Sequence, residues 1–289
     1  MDGILYFNHG TKHLVRLLVS LRTLRNHWPG PVTVLDTGES GGIVEKICRA
    51  LGADLKTIPF VARRRHSCYC MKASLWRHSP YEQGASLLVD ADTTFEASPA
   101  SLLQIVATRL NPGFVVTRFS DWVTTGQIMR GRIEQWQGIV ARPQGGKKVV
   151  ADELIRASLE MPHGAINTGV VGWRTDEGTI PTLKAWEALT HAGWRCSLTD
   201  EVAAQLILRT HRHTMLSDRY NLSCLFGKEA DRVVIRHFHG NKCLRPECSR
   251  HWLPHYQAAI EENQADVCNW QPAGDPSLTA YLAGVGNAA

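Results

Sequence analysis

The sequence lacks long apolar runs. No stretch approaches the ~18 consecutive apolar residues that a membrane-spanning helix requires. The first residues, from Met1 to Phe7, contain neither the basic n-region nor the longer apolar core of a secretory signal. We therefore expect no membrane span and a cytoplasmic location.

The sequence also lacks a large net charge and a Cys-x-x-Cys motif. The 32 Lys and Arg residues exceed the 27 Asp and Glu residues by only five, so the formal net charge is +5. Such a mild excess permits an anionic ligand but does not by itself indicate nucleic-acid binding. None of the 8 cysteines forms a Cys-x-x-Cys pair. In a cytoplasmic protein we expect these cysteines to be reduced thiols and not a disulfide framework.

The sequence also shows no internal repeat, low-complexity tract or clear linker. Its first half alternates strand patterns with helix patterns; the strands are expected at residues 4–7, 32–35, 55–60, 86–89 and 113–117. This alternation predicts an α/β fold with a mainly parallel sheet that is covered by helices on both faces. We expect one domain over residues 1–245, followed by a C-terminal helix and tail over residues 246–289. Residues 119–150 lack clear periodicity and are interpreted as an irregular excursion over the functional site.

An Asp-x-Asp pair follows the apolar strand at residues 86–89 and is the most informative local pattern. Because residues two apart on an extended chain face the same side, Asp90 and Asp92 can present two carboxylates to one point. That point lies at the carboxyl end of a strand, where α/β sheets bind ligands. Two close carboxylates repel each other unless a cation lies between them, and oxygen ligands suit Mg²⁺ or Mn²⁺. The alternative is an ordinary strand-to-turn junction, where Asp is common.

A second polar segment follows the apolar run at residues 233–235. His237 and His239 would lie on one side of an extended chain, Gly240 allows close approach to a ligand, and Lys242 offers a cation to phosphate. An imidazole beside two carboxylates favours Mn²⁺ over Mg²⁺. Either histidine could be the metal ligand, and His237 is preferred by position. A structural zinc site is the alternative, because further cysteines and histidines lie nearby: Cys243, Cys248, His251 and His255.

Four blocks in order carry a resemblance to a known family. They are Leu87–Thr93 with its Asp-Ala-Asp, Asn167–Val170, Thr199–Glu201 and His237–Lys242. Together they resemble the GT-A glycosyltransferases, and in particular glycosyltransferase family 8, the glycogenin and bacterial galactosyltransferase group. The resemblance extends over about residues 3–245. Two departures are the five-residue step from His237 to Lys242, where many members have six, and the Cys-Leu that replaces a common Pro-Trp.

The resemblance implies a GT-A fold and a set of site residues. The metal on a nucleotide-sugar diphosphate would be held by Asp90, Asp92 and His237. The donor would be contacted by the residues that match the family's donor site: Tyr6, Asn8, Lys72, Asp90, Ala91, Asp92, Asn167, Gly169, Gly240 and Lys242. Asp200 and Asn167 would lie at the reaction centre. The family also implies that the anomeric configuration is retained.

Several alternatives stay open at this stage. An inverting enzyme would need a carboxylate base, which Asp200 or Glu201 could supply, and Asp200 could equally be a helix N-cap. The leading function is a Mn²⁺-dependent transfer from a UDP-sugar to a glycan, a protein or modified DNA. Basic loops at Arg63–Arg65 and Lys147–Lys148 would suit DNA, and Trp122 and Trp136 are candidates to stack on an acceptor.

Two further classes are considered. A non-catalytic module that binds nucleotide sugars or nucleic acid would use the same residues without chemistry. A sugar-nucleotide pyrophosphorylase ranks low, since residues 8–12 lack the Gly-rich phosphate loop of that class.

Overall fold

A seven-stranded sheet lies at the centre of the computed structural model, which describes residues 1–60, 67–119, 122–140, 152–160, 165–225 and 232–262. The strands in chain order are β1 (Gly3–Asn8), β2 (Val32–Asp36), β3 (Asp54–Thr57), β4 (Ala85–Val89), β5 (Thr93–Phe95), β6 (Phe114–Arg118), β7 (Ile166–Arg174), β8 (Thr214–Leu216), β9 (Leu222–Ser223) and β10 (Ile235–His237). The helices are α1 (Leu14–Arg25), α2 (Ile43–Ala50), α3 (Ser67–Ser74), α4 (Ala100–Ala107), α5 (Trp122–Val140), α6 (Asp152–Leu159), α7 (Ile180–Ala192), α8 (Thr199–Ile207) and α9 (Pro246–Glu262).

The main sheet is mixed and mainly parallel, as predicted. Its strand order is β3-β2-β1-β4-β7-β6-β8, and β7 runs antiparallel to both of its neighbours, β4 and β6. The other pairs are parallel, so Ile4 of β1 lies opposite both Val32 of β2 and Leu87 of β4. Parallel pairing requires long crossovers, which the helices supply.

Helices cover both faces of this sheet, as the sequence predicts. Alternate residues of β1 enter different cores: Ile4 and Tyr6 pack with helices α1, α2, α4 and α9, whereas Leu5 packs with α3, α5, α7 and α8. Such two-sided burial explains why the strands read as continuous apolar runs. The C-terminal helix α9 packs against α1, with Cys248, Trp252 and Ala259 buried.

A small second sheet joins the two polar segments that the sequence singles out. Its strand order is β5-β10-β9, and β10 runs antiparallel to β5 with His237 opposite Thr93. The N–H of Phe238 donates a hydrogen bond to the carbonyl oxygen of Asp92 at 2.9 Å. The Asp-x-Asp turn is therefore held beside the histidine segment, although about 145 residues separate them in the sequence.

The interpretation of residues 119–150 as irregular is wrong over Trp122–Val140, which form helix α5. Met129, Ile133 and Trp136 recur at helical spacing and are buried, while Gly131 and Gly138 lie on the exposed face. Trp136 is fully buried in the core and is not an exposed platform for an acceptor. Residues 141–151 lie outside the described ranges.

The prediction of reduced thiols is wrong for two cysteines. Cys224 and Cys248 form a disulfide with their Cα atoms 5.4 Å apart, and it joins the segment after β9 to the first turn of α9. Sequence spacing does not reveal a pair that tertiary folding brings together. Five other described cysteines are not part of a disulfide: Cys48, Cys68, Cys70, Cys196 and Cys243. No helix in the described ranges is long and apolar enough to cross a membrane.

Candidate functional site

A cavity of about 960 Å³ opens at the carboxyl ends of β1 and β4. Asn8, the last residue of β1, and Asp90, directly after β4, lie in its wall. Helices α5 and α8 form another side through Arg132, Asp200 and Glu201. Most of the predicted site residues contribute to the lining: Asn8, Lys72, Asp90, Ala91, Asp92, Asn167, Asp200, His237, Gly240 and Lys242.

Three metal-ligating side chains meet in this cavity. Asp90, Asp92 and His237 can each offer one ligand atom such that all three atoms lie within 4.8 Å of one another. Nε2 of His237 lies 3.3 Å from Oδ1 of Asp92 and 3.9 Å from Oδ2 of Asp90. Within the described ranges this is the one group of three or more such residues with that spacing. His239 instead directs Nε2 to the hydroxyl of Ser223, at 2.8 Å.

Backbone contacts hold the Asp-x-Asp turn in place. The N–H of Asp90 donates to the carbonyl oxygen of Gly169 at 2.8 Å, and the hydroxyl of Thr93 donates to the carbonyl oxygen of Asp90 at 2.9 Å. The N–H of Gly240 donates to the carboxylate of Asp92. Gly240 has a φ of +68°, a conformation in which a side chain would be strained.

The donor set fits a divalent cation. Burial raises the pKa of Asp92, but the imidazole of His237 outweighs burial and the net pKa lies well below the usual value. Burial in turn lowers the pKa of His237, and Asp92 outweighs it so that the net pKa is raised. Two carboxylates and one imidazole nitrogen are ligands that suit Mn²⁺, whose preferences include both oxygen and nitrogen.

Lys72 lies between two of the acidic groups. Its Nζ is 2.7 Å from Oδ1 of Asp90 and 3.7 Å from Oδ2 of Asp200. The residue is buried, which lowers the pKa of the ammonium, but the two carboxylates outweigh burial and raise it overall. The ammonium thus stays charged and offsets part of the negative charge of the cavity.

Asp200 occupies the first turn of α8 and is almost fully buried. Its Oδ2 accepts a hydrogen bond of 2.6 Å from the hydroxyl of Thr168. Its Oδ1 is buried and has no hydrogen-bond partner among the described residues. Asp200 is not the N-cap of α8, since Leu198 occupies that position. Burial raises the pKa of this carboxyl.

Glu201 is buried beside it and has both oxygens occupied. Oε1 accepts from Nδ2 of Asn167 at 2.6 Å, and Oε2 accepts from Nη1 of Arg132 at 2.5 Å. Burial raises the pKa of Glu201 to about 7, although the guanidinium of Arg132 acts in the opposite direction. Glu201 therefore links helices α5 and α8 to the strand that carries Asn167.

Two predicted donor-site residues do not line the cavity. Tyr6 is fully buried, and its hydroxyl lies 2.9 Å from Oγ of Ser20 in the core, so the prediction that it meets the donor is corrected. Its neighbour Phe7 faces the cavity instead, because successive residues of a strand point to opposite faces. Gly169 is buried behind the site, where a Cβ atom would overlap the ring of His237.

Asn8 ends β1 at the cavity wall. Its Nδ2 donates to Oδ1 of Asp36 at 2.6 Å and to the carbonyl oxygen of Gly10 at 3.1 Å. Its own Oδ1 is buried and lacks a hydrogen-bond partner in the described part of the chain. This oxygen can accept a hydrogen bond from a bound ligand.

Several residues near the site escape sequence reasoning. Arg132 lies in the stretch predicted to be irregular, and Asn221 lies outside the recognised motifs. The helical spacing of Met129, Ile133 and Trp136 is the sequence signal that could have placed Arg132 on a helix.

No zinc site forms from the described cysteines and histidines near Cys248, since that cysteine is bridged to Cys224. Arg63–Arg65 and Lys147–Lys148 lie outside the described residues, and nothing is described of the Trp122 side chain.

The sheet order, the small second sheet and the Asp-x-Asp cavity define the GT-A glycosyltransferase fold, which confirms the fold that the sequence resemblance implies. The chain is similar in structure to mouse xyloside xylosyltransferase 1, with a TM-score of 0.56 and 13% identity over 84% of this chain and 99% of that one.

The galactosyltransferase LgtC, solved with donor and acceptor sugar analogues, gives a TM-score of 0.58 and 15% identity over 92% of this chain and 100% of that one. The bifunctional glycosyltransferase WbbM gives a TM-score of 0.57 and 13% identity, and the match covers 98% of this chain and 51% of that one. Searches with protein-family models and against curated proteins return no match.

Proposed function

We propose that the chain is a Mn²⁺-dependent glycosyltransferase that transfers a sugar from a UDP-sugar and retains its anomeric configuration. The observation that carries the proposal is the meeting of Asp90, Asp92 and His237 at the carboxyl end of β4, inside a cavity of about 960 Å³. The GT-A fold and the names of the similar structures, a xylosyltransferase and a galactosyltransferase among them, support the same class of reaction.

The three ligands would hold the metal against the donor diphosphate. A bound divalent cation supplies charge that stabilises a diphosphate as it leaves the anomeric carbon. Asp92 is fixed for this role by the backbone of Gly240, and Asp90 is fixed by Lys72. The chain thus positions both carboxylates before any ligand arrives, which limits the reorganisation that binding requires.

Cationic side chains of the chain would bind the rest of the diphosphate. Lys242 lies in the cavity wall on the short helical turn that begins at Gly240. Burial and the nearby cations Arg245 and Arg132 lower the pKa of Lys242. An anionic ligand between these cations relieves their mutual repulsion, so the free energy of binding gains from this arrangement.

Asp200 would bind the sugar. Its buried Oδ1 lacks a partner among the described residues, and a sugar hydroxyl would satisfy it by donating a hydrogen bond. Lys72 contacts both this carboxylate and Asp90, so it connects the sugar end of the cavity with the diphosphate end. Asn167 holds Glu201 in place and completes the same wall.

The state of the carboxylates supports retention over inversion. An inverting enzyme needs a carboxylate that can take a proton from the acceptor hydroxyl. Glu201 has both oxygens engaged by Asn167 and Arg132, and Asp200 is almost fully buried beneath Thr168. Neither group is presented as a base on the acceptor side.

We place the acceptor against helix α5. Ile128 is 40% exposed there, and both Ile128 and Phe119 line the cavity. Apolar and aromatic side chains suit the ring face of a hydroxyl-bearing sugar acceptor, whether on a glycan, a protein or modified DNA.

The proposal is tested by UDP release from a panel of UDP-sugars, with Mn²⁺ and with EDTA. We expect release with at least one sugar in Mn²⁺ and none in EDTA. Asp92→Asn should abolish it, whereas Glu45→Gln, the same chemical change on the exposed face of α2, should not. Equal release by Asp92→Asn and the wild type would contradict the proposal.

A further inference from the structure

Asn221 is buried directly behind His237 and contacts the ring nitrogen that faces away from the two carboxylates. Oδ1 of Asn221 lies 3.0 Å from Nδ1 of His237, while Nε2 of the same ring points to Asp92 and Asp90. Both residues are almost completely buried, with 2% and 3% of their surfaces exposed. The contact is therefore shielded from water, and its direction influences which ring nitrogen carries the proton.

A fixed backbone donor sets that direction. The backbone N–H of Gly169 donates to the side-chain amide of Asn167 at 2.8 Å, and a backbone N–H is always a donor. The atom of Asn167 that accepts this hydrogen bond must therefore be the amide oxygen, Oδ1. Its amide nitrogen then faces the carboxyl group of Glu201 and donates to Oε1 at 2.6 Å.

The orientation of the Asn167 amide in turn fixes the orientation of the Asn221 amide. Nδ2 of Asn221 lies 2.8 Å from Oδ1 of Asn167, so it must donate there. It also donates to Oγ1 of Thr117 at 2.9 Å, and the Thr117 proton is directed to backbone carbonyl oxygens. The opposite amide orientation would place oxygen against oxygen at Asn167. The remaining group, Oδ1 of Asn221, must therefore face His237.

We propose that Asn221 is a positioning residue that holds the neutral His237 in the Nδ1–H tautomer, with the lone pair of Nε2 directed at the metal position. The hydrogen bonds that fix this orientation run from the backbone N–H of Gly169 to Asn167, from Asn167 to Asn221, and from Asn221 to the imidazole ring. Partners of this kind raise the affinity of a ligating histidine by fixing its orientation. The inference rests on the proposed role of His237 as a metal ligand.

The tautomer is measured directly by ¹⁵N NMR of the imidazoles in metal-free protein at alkaline pH, with His237 assigned from His237→Gln. Asp92 favours the proton on Nε2 in the metal-free protein, so the wild type is compared with Asn221→Ala. We expect a larger fraction of the Nδ1–H tautomer of His237 in the wild type, and equal fractions in the two proteins would overturn the inference. This readout needs no metal, so it decides the inference even where the proposed function fails.

A second measurement follows Mn²⁺ affinity by the EPR signal of the free ion. Asn221→Ala should weaken Mn²⁺ binding by roughly 10–100-fold. Thr117→Val removes a different partner of Asn221 and leaves the contact with His237, so its affinity should stay within about threefold of the wild type. Wild-type affinity in a folded Asn221→Ala protein would contradict the inference, whereas absence of Mn²⁺ binding in the wild type would contradict the proposed function instead.

Discussion

Gly169 leaves the space that the imidazole of His237 fills, because a Cβ atom on Gly169 would overlap that ring. The glycine sits on β7 and the histidine ends β10, so the contact joins the main sheet to the small one. The same glycine gives its carbonyl oxygen to the N–H of Asp90 and its N–H to Asn167. One residue without a side chain thus fixes the relative positions of both polar segments.

Gly169→Ala should displace His237 and lower Mn²⁺ affinity by at least ~10-fold, since the methyl group and the ring compete for one volume. The change is measured by Mn²⁺ EPR on the purified variant. Gly131→Ala is the matched control, because a Cβ at that position on α5 meets nothing within 4 Å. Equal affinity in the two variants would show that His237 is not positioned by this contact.

Lys72→Met should destabilise the metal-free protein by about 3–5 kcal/mol, because it leaves the buried carboxylate of Asp200 and the half-buried carboxylate of Asp90 without their cation. Chemical denaturation in EDTA measures the loss, with Lys184→Met on the exposed face of α7 as the control. Mn²⁺ should raise the melting temperature of Lys72→Met more than that of the wild type, since the ion replaces the missing charge at Asp90. A smaller Mn²⁺ shift in the variant would contradict this account.

The contribution of Glu201 to the free energy of unfolding should fall as pH rises from 4.5 to about 7. Its pKa is raised by folding, so across that window the folded state keeps a proton that the unfolded state has lost, and stability decreases with pH. The contribution is at most about 1.4 kcal/mol per pH unit. In denaturation experiments performed in EDTA, the free energy of unfolding of Glu201→Gln should therefore fall less, or rise more, with pH across this window than that of the wild type, and equal slopes would argue against a raised pKa.

The disulfide between Cys224 and Cys248 should stabilise the folded chain by about 2–4 kcal/mol, since it closes a loop over a sequence separation of 24 residues. The bridged segment includes His237 and Lys242, so its loosening should also weaken donor binding. Thermal unfolding with and without reductant measures the effect, with Cys224→Ser as the permanently reduced form. A melting temperature that reductant does not change would favour the reduced thiols expected from the sequence.

Local patterns predicted the parts of the site that lie next to strands. Asp90 and Asp92 follow an apolar run, and His237 follows another, so each carries a signal within about ten residues. The strand alternation likewise predicted a mainly parallel sheet with helices on both faces. These features depend on short-range periodicity, which a single sequence displays directly.

The features of the site that the sequence does not predict depend on tertiary contacts or on strands that are buried on both faces. Both faces of β1 are buried, so the apolar pattern does not distinguish Tyr6, which enters the core, from Phe7, which lines the cavity. Asn221 matters through contacts with residues far away in the sequence. Two glycines of α5, Gly131 and Gly138, lie on its exposed face and obscure the helical spacing of Met129, Ile133 and Trp136.

The central claim is that Asp90, Asp92 and His237 hold a metal that binds a nucleotide diphosphate. Calorimetric titration of UDP into the protein, in Mn²⁺ and then in EDTA, tests it most directly. The account predicts binding in Mn²⁺ that is lost in EDTA and in Asp92→Asn, and that persists in Glu45→Gln. Binding of equal strength in EDTA, or no binding under either condition, would contradict it.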